Sequence, residues 1–541
     1  MNVPDDIIEA DYVIVGAGSA GCVLAARLSE DPGTRVLLIE AGGEDRHPLL
    51  HAPVGFARTM GDPRFDWCYT QGPEPHLDGR HIHYARGRVL GGCSSINGLA
   101  WVRGHRADYD AWAAAGCAGW DWGSVRGYFE GAENYAGGGA GRGRGGPVKI
   151  EQNPGLHPVS RRLLEAAAQA GLPVQEDHNV EVPLGMSRLQ LNLWRGRRQS
   201  AAVAYLAPAR RRANLRVLTG AEVDRIEIEN GVAAGLAIRS AGRAVRVRAS
   251  AEVILSAGTI GSPLLLERSG VGAADRLARL GIEVRHDAPE VGENLQDHLV
   301  VLMQQRLSGI VTWNEHTRGL RVLWHGLRYL ATRGGLLAGT PTQITGFARV
   351  GAGGGAADIQ FFASPMSYHV GTDAAGNVKV STDSRPGMSF GFNQCRPYSR
   401  GHVHLGAADP AAPPSIVANY LADPRDRDIV LAGLKMCRKI LAQRAFDDIR
   451  AEELGPGAGA VTDEQLMAYV RAAGGTAYHA VGSCRMGADE RAVVDPRLRV
   501  RGVGRLRIAD ASIMPAIVSA NTHAPTVMIA EKAAALIRAG D

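Results

Sequence analysis

Paired cysteines are missing from this chain. Its seven cysteines (Cys22, Cys68, Cys93, Cys117, Cys395, Cys437 and Cys484) stand at wide, irregular intervals. An odd number without paired spacing argues against a disulfide framework and against a cysteine-rich zinc site. Long apolar runs are missing too, since no stretch approaches the ~18–20 apolar residues of a membrane span. No basic segment followed by an apolar run and a cleavage site opens the sequence, so the expected location is cytoplasmic, with peripheral attachment to a membrane left open. Charge of one sign is scarce: the net charge is +5 over 541 residues, which gives no reason to expect nucleic acid. The Arg210-Arg211-Arg212 run reads as a solvated patch.

What is present is a large soluble chain, too long for one hydrophobic core, so two domains are expected. Many of its 69 glycines fall in compact clusters, which points to tight turns and close backbone approaches as well as loops. Residues 137–146 and 351–357 are so rich in glycine that they read as mobile surface loops. The alternation Gly401-His402-Val403-His404-Leu405 suggests an antiparallel strand.

The segment 11–40 reads as a βαβ unit. Asp11-Tyr12-Val13-Ile14-Val15 is a short buried strand, Gly16-x-Gly18-x-x-Gly21 the turn, and Cys22 to Ser29 has helical spacing. Arg35-Val36-Leu37-Leu38-Ile39 is the next strand, closed by Glu40, 19 residues beyond Gly21. The first glycine permits the tight turn, the second lets a pyrophosphate approach the backbone, and the third lets helix pack on strand. The helix N-terminus then faces the phosphates. An acid at position 40 suits a ribose diol and fits FAD or NAD equally. Strand-like Glu252–Ser256 and Leu506–Asp510 lie far downstream, so a dinucleotide domain would be discontinuous.

Further segments carry a family resemblance. Gly87-Arg88-Val89-Leu90-Gly91-Gly92-Cys93-Ser94-Ser95-Ile96-Asn97-Gly98 resembles the first signature of the glucose–methanol–choline (GMC) oxidoreductases, and Gly258 to Gly272 resembles the second. Thr476-Ala477-Tyr478-His479 with Gly482-Ser483-Cys484-Arg485-Met486-Gly487 is similar to the catalytic-histidine segment of the choline-dehydrogenase-like branch. Val291 to His298 and Ala509 to Pro515 also resemble family segments, and the match runs from about residue 11 to 538 in the family's order.

The resemblance implies an α/β protein with FAD. Its parts are a discontinuous, doubly wound, Rossmann-type FAD-binding domain (1–155, 206–299 and 471–541) and an α+β substrate-binding domain with an antiparallel sheet (156–205 and 300–470). It implies cofactor contacts at Gly16, Gly18, Ser19, Ala20, Gly21, Glu40 and Ala41. Others fall at Arg88, Gly91, Gly92, Ser95, Asn97 and Gly98, and at Val223, Ala257, Gly258, Asp510 and Ala511. Where some members carry a histidine that bonds the flavin covalently, this chain has Ile96, so FAD is expected to be non-covalent.

Oxidising an alcohol requires loss of a hydroxyl proton and a carbon-bound hydride, and the flavin accepts the hydride. His479 matches the family's base, and imidazole suits that task. The partner position is His or Asn in the family and falls at Asn521, with His523 the second choice. Tyr478 either lines the cavity or packs. His81-Ile82-His83 and His402-Val403-His404 lack a third ligand in register, and no metal is expected.

Other reaction classes are weaker. Gly387-Met388-Ser389-Phe390-Gly391 fits the G-x-S-x-G hydrolase elbow, but the flanks read as strand without a helix. Non-redox lyases and photodecarboxylases share the GMC fold. For the alcohol, choline is the obvious substrate of the resembling branch, and Trp313, Trp324, Tyr329 and Phe347 are available for a cation cage. In the same segment, however, Glu315 stands alone against Arg306, Arg318, Arg321, Arg328, Arg333 and Arg349, which favours a neutral aliphatic or benzylic primary alcohol. Electrons would pass to oxygen, a quinone or another carrier.

Overall fold

The computed structural model describes residues 7–351, 355–372 and 378–540. The apolar runs of the first βαβ unit become adjacent parallel strands, Ile7–Val15 and Val36–Glu40, with Val13, Ile14, Leu37 and Leu38 fully enclosed. Such continuous apolar stretches suit parallel strands covered on both faces. Leu215–Thr219 flanks them on one side and Arg243–Leu255 on the other, all parallel. The C-terminal half of Arg243–Leu255 also pairs in parallel with Leu506–Ile508. Its N-terminal half instead joins an antiparallel meander with Val232–Ser240 and Ala221–Glu229. The sheet is therefore assembled from three distant parts of the chain. The first helix, Ser19–Leu28, packs against the last, His523–Arg538, and Arg27 pairs with Glu531 at 2.8 Å across that contact.

A second sheet is antiparallel throughout, in the order Arg450–Gly455, Leu299–Leu307, Gly387–Gln394, Ile359–Ser364, Ile344–Ala348, Gly185–Arg188. Helix Pro424–Leu441 backs it and approaches closely at Gly433, where a Cβ would sit 2.3 Å from the Phe392 ring. The fold is thus α/β: a discontinuous Rossmann-type unit joined to a part built on an antiparallel sheet. Ser389 lies in mid-strand, buried, with no turn or helix after it, so the G-x-S-x-G match is not a nucleophile elbow.

His402–His404 pairs antiparallel with Ser415–Val417, as the alternation predicts. The glycine-rich stretch 137–146 does not form a mobile surface loop. Arg142 within it is buried and ion-paired to Glu133 at 2.9 Å and Asp177 at 2.6 Å, and it lies 4.1 Å from the centre of the Tyr135 ring. A Cβ at Gly143 would stand 1.9 Å from the Glu130 carbonyl oxygen, so glycine there serves close packing. Of the other glycine-rich stretch, 352–354 lie outside the described residues. No helix among the described residues is long and apolar enough to cross a membrane.

Candidate active site

A cavity of about 1250 Å³ runs from the first βαβ turn, with Gly16 and Gly18, to the second sheet, whose Val300, Leu302 and Phe362 form its far wall. At the turn each glycine has its own reason. Gly16 has φ +94°, and a Cβ there would strike the Ser256 carbonyl oxygen at 2.6 Å. A Cβ at Gly21 would lie 1.9 Å from the Gly16 oxygen, so this glycine brings helix onto strand and is absent from the cavity wall. Gly18 faces open space, with the nearest atom to a Cβ at 3.9 Å. Glu40 accepts hydrogen bonds from the Ala17 and Gly42 amides, both at 2.8 Å, and burial pushes its carboxyl up to about 7.

Ser19, Ala20, Ala41, Val223, Ala257, Gly258, Asp510 and Ala511 all line the same cavity. Asp510 accepts from the Gly258 amide at 2.8 Å and the Ser262 hydroxyl at 2.6 Å, which pins the start of helix Gly258–Arg268. From the first signature, Arg88, Gly92, Asn97 and Gly98 reach the cavity, whereas Gly91 and Ser95 do not. The Ser95 hydroxyl turns inward to the Leu90 carbonyl at 2.7 Å, and the Gly91 amide donates to Ala17 O at 2.7 Å. The two glycine turns therefore brace one another. Asn97 Oδ1 is held by Arg198 at 2.8 Å, and its amide NH₂ group has no hydrogen-bond partner among the described residues. Arg198 is wholly buried, and burial lowers its pKa to about 9.

His479 is brought to the cavity by one carboxylate. Asp297 Oδ1 accepts the backbone amides of both His298 (2.8 Å) and His479 (2.7 Å), while Oδ2 accepts the hydroxyls of Tyr84 and Tyr420. The short Gly475–Thr476 strand pairs with Leu299–Val300 and sets the two segments side by side. His479 Nδ1 meets His298 Nδ1 at 2.9 Å, and His298 Nε2 meets the Cys395 carbonyl oxygen at 3.0 Å. A carbonyl only accepts, so His298 carries its proton on Nε2 and presents a bare Nδ1. His479 must then donate from Nδ1, which leaves its Nε2 lone pair facing the cavity. Asn521 Nδ2 donates to that nitrogen at 3.0 Å, and Gln360 Nε2 donates to Asn521 Oδ1 at 3.1 Å, fixing the amide's orientation.

Burial, the neighbouring His298 and the Arg86 guanidinium hold His479 well below the ordinary imidazole range. Arg86 also lines the cavity and donates to the Tyr478 carbonyl at 2.9 Å. His523, the second choice for the partner position, points elsewhere, with its Nδ1 3.1 Å from Ser19 Oγ. Sequence reasoning gives no role to His298, Gln360 or Arg86. His298 closes one of the family-like segments, but Gln360 lies in an ordinary strand with no local signal.

The aromatic and charged residues that bear on substrate charge in the sequence are not at the site. Trp313 and Phe347 are core residues, Tyr329 bonds the Gly196 carbonyl, Trp324 is exposed, and none of the four lines the cavity. Glu315 caps its own helix at Thr312, and the six arginines of that segment are likewise absent from the wall. The rings that do line it include Trp67, Tyr69, Phe362, Tyr368 and Tyr478, and the arginines are Arg80, Arg86, Arg88 and Arg268. One cluster of metal-ligand type occurs among the described residues, Asp66, Cys68 and His83, where the Asp66 oxygens already accept the amides of Gly61, Cys68 and Arg86.

The cavity fits a dinucleotide with a flat ring system. Gly98 and Gly258 face it so openly that a Cβ would meet no atom within 4 Å, as in a cradle kept clear for a ligand against the backbone. The phosphate turn, the buried Glu40 and a histidine–asparagine pair at the other end define a flavin-dependent oxidoreductase acting on a CH–OH group. Profiles described as GMC oxidoreductase match residues 10–300 and 397–530, and the chain belongs to that family. It is similar to an oxygen-dependent choline dehydrogenase of Sinorhizobium fredii (strain NBRC 101917 / NGR234), with 40% identity over 97% of this chain and 95% of that protein. The human mitochondrial choline dehydrogenase is also 40% identical, over 98% of this chain and 90% of its own. Among solved structures, pyridoxine 4-oxidase from Mesorbium loti superposes with a TM-score of 0.88 at 32% identity, covering 98% of this chain and 99% of that one.

Proposed function

We propose that the chain oxidises a neutral primary alcohol, aliphatic or benzylic, to its aldehyde, with His479 as base and Asn521 as its partner. The carrying observation is the bare His479 Nε2, faced by an amide donor whose orientation Gln360 dictates. A bound alcohol would give its hydroxyl proton to Nε2, while Asn521 Nδ2–H holds the oxygen. FAD, bound without a covalent link along Gly18, Glu40, Gly98, Gly258 and Asp510, supplies the acceptor for the carbon-bound hydride. A division of the chain at 1–155, 206–299 and 471–541 against 156–205 and 300–470 is supported by most of the strands in the two large sheets, although Gly475–Thr476, within 471–541, pairs with Leu299–Val300 of the second sheet.

Neutrality of the substrate is supported by the wall. Its carboxylates are Glu40 and Glu222, on strands of the Rossmann-type sheet, and Asp510, just beyond the Leu506–Ile508 strand, whereas the second sheet contributes Val300, Leu302, Gln304, Phe362 and Ser364. A cation near His479 would find Arg86 on the wall, while the neighbouring Asp297 carboxylate lies behind the wall and is already engaged with two backbone amides and the Tyr84 and Tyr420 hydroxyls. Choline is the second reading, favoured by the names of the two choline dehydrogenases and by the cavity's aromatic rings. Against it, the Arg88 guanidinium already lies 4.8 Å from the centre of the Trp67 ring. The acceptor of the electrons is oxygen, a quinone or another carrier. The seven cysteines are free, which supports a cytoplasmic location. Anaerobic mixing of the holoenzyme with benzyl alcohol, a medium-chain alkanol and choline, followed by air, tests the reading. Fastest bleaching by choline would overturn the neutral substrate, and bleaching by none would overturn alcohol oxidation.

A further inference from the structure

The helix Leu320–Thr332 is turned inside out. Leu320 is 82% exposed, Leu323 64%, Trp324 56%, Leu327 68% and Leu330 70%, whereas Tyr329 is the one buried residue of the helix. The large hydrophobic residues exposed on the rest of the described chain include no other leucine. At 3.6 residues per turn these five side chains fall on one arc of about 120° opposite Tyr329. Arg321 and Arg328 run along one flank of the arc, with Arg318 and Arg333 at the ends of the helix. None of these four has a carboxylate partner among the described residues. Glu315, the one acid between Val311 and Gly339, is engaged with Thr312. Arg328 also lies 5.4 Å from the centre of the Trp324 ring.

From this face we infer that the helix is an interfacial anchor that lies in the headgroup region of an anionic phospholipid bilayer. Leucine and tryptophan on one arc with arginine on its flank is the composition that buries an apolar face in lipid while the guanidinium groups meet lipid phosphates. A convex single-helix ridge suits a deformable lipid surface and needs no shaped groove. Self-pairing through the same face would set four arginines against four, so a second copy is disfavoured. The position is also apt. After the helix the chain makes one turn at Leu336–Ala338, which packs on Pro53–Gly55, and then enters the active-site wall at Thr340, Pro341 and Thr342. Docking therefore sets a wall of the active-site cavity beside the lipid surface. That this gives apolar alcohols or a lipid-soluble acceptor a short path rests on the substrate reading above, but the docking itself does not.

Co-sedimentation of the full-length holoenzyme with sucrose-loaded vesicles tests the anchor without requiring turnover. The wild type is expected to pellet with phosphatidylcholine–phosphatidylglycerol vesicles and less with phosphatidylcholine alone. Leu323→Ser/Leu327→Ser should lower the partition coefficient by at least about tenfold, because each leucine withdraws several CH₂ and CH₃ groups from lipid. Arg321→Gln/Arg328→Gln should remove the preference for the anionic vesicles. Both variants should keep wild-type FAD content and dye-linked turnover of a soluble alcohol, since neither pair touches the cavity. Wild type remaining in the supernatant with both vesicles, or the leucine variant pelleting like wild type, would overturn the proposal. So would a lipid-free dimer in velocity sedimentation that the leucine variant dissolves, because the face would then be a subunit interface.

Discussion

The imidazoles of His298 and His479 stand perpendicular, at 89°, with Nδ1 2.9 Å from Nδ1. Because the Cys395 carbonyl claims the other nitrogen of His298, the contact dictates which nitrogen of His479 is free. In the proposed mechanism His298 is thus a positioning residue that acts through His479.

Replacing His298 by Ala should slow flavin reduction by about tenfold or more, as His479 gains freedom to rotate and to exchange tautomers. His298→Gln, whose amide offers one acceptor and one donor, should recover part of the loss. The readout that separates positioning from mere packing is the pH profile. The Ala variant should show a changed acid limb for kcat/KM, since a neighbour that depresses His479 has been removed. An unchanged profile with wild-type kcat would deny His298 this role.

His479→Ala should retain FAD but reduce the rate of bleaching by about 10²–10⁴-fold, the usual worth of a general base. Asn521→Ala should cost less, because the base remains. Stopped-flow absorbance under anaerobic conditions measures both, and unchanged bleaching in His479→Ala would remove it from the mechanism.

The pH dependence follows from histidines held neutral in the fold. His479 lies well below the ordinary 6.5, mainly by burial, so kcat/KM should stay flat through pH 6.5 and fall only at lower pH. Burial also brings His178 and His523 down to about 4. Below 6.5 the unfolded chain takes up protons that the native state refuses, so stability is full above 6.5 and declines as pH falls toward 4. Thermal melts of the holoenzyme from pH 8 to pH 4.5 should show this slope, and a melting temperature that holds level down to pH 4.5 would contradict it.

FAD should leave the protein on denaturation. Ile96 is buried against Leu50, Phe65 and Val89 and offers no atom for a flavin bond. Acid precipitation is expected to give a colourless pellet and a yellow supernatant.

Glu40→Ala should weaken FAD binding by about 1.5–3 kcal/mol, the scale of hydrogen bonds to a charged group. The loss includes a local part, because the Ala17 and Gly42 amides lose their acceptor as well. Glu40→Gln keeps an acceptor and should fall between. Fluorescence titration of apoprotein with FAD measures all three, and equal affinities would remove Glu40 from the cofactor site.

Local motifs are legible in the amino-acid sequence alone. The turn Gly16–Gly21 with Glu40, the Gly91-Gly92 pair, His479 and Asn521 can be read because each depends on short-range geometry or on a family segment with a recognisable run. Composition misleads where it stands in for geometry. The stretch 137–146 reads as loose because it is glycine-rich, yet the glycines admit backbone contacts and Arg142 is buried between two acids. Likewise, the arginines between Leu299 and Ala357 carry charge in sequence but stand away from the cavity.

By itself the sequence determined the Rossmann-type unit, the FAD expectation and the choice of His479 and Asn521 as the proposed base and partner, because turns, strand periodicity and motif spacing act over a few residues. Tertiary structure alone decided which groups orient that base. His298 is 181 residues from His479, and Gln360 is 161 from Asn521. Their meeting depends on how the Leu299–Leu307 and Ile359–Ser364 strands lie in an antiparallel sheet. It also decided that the leucines of Leu320–Thr332 face outward, since helical periodicity marks an apolar face but not what covers it.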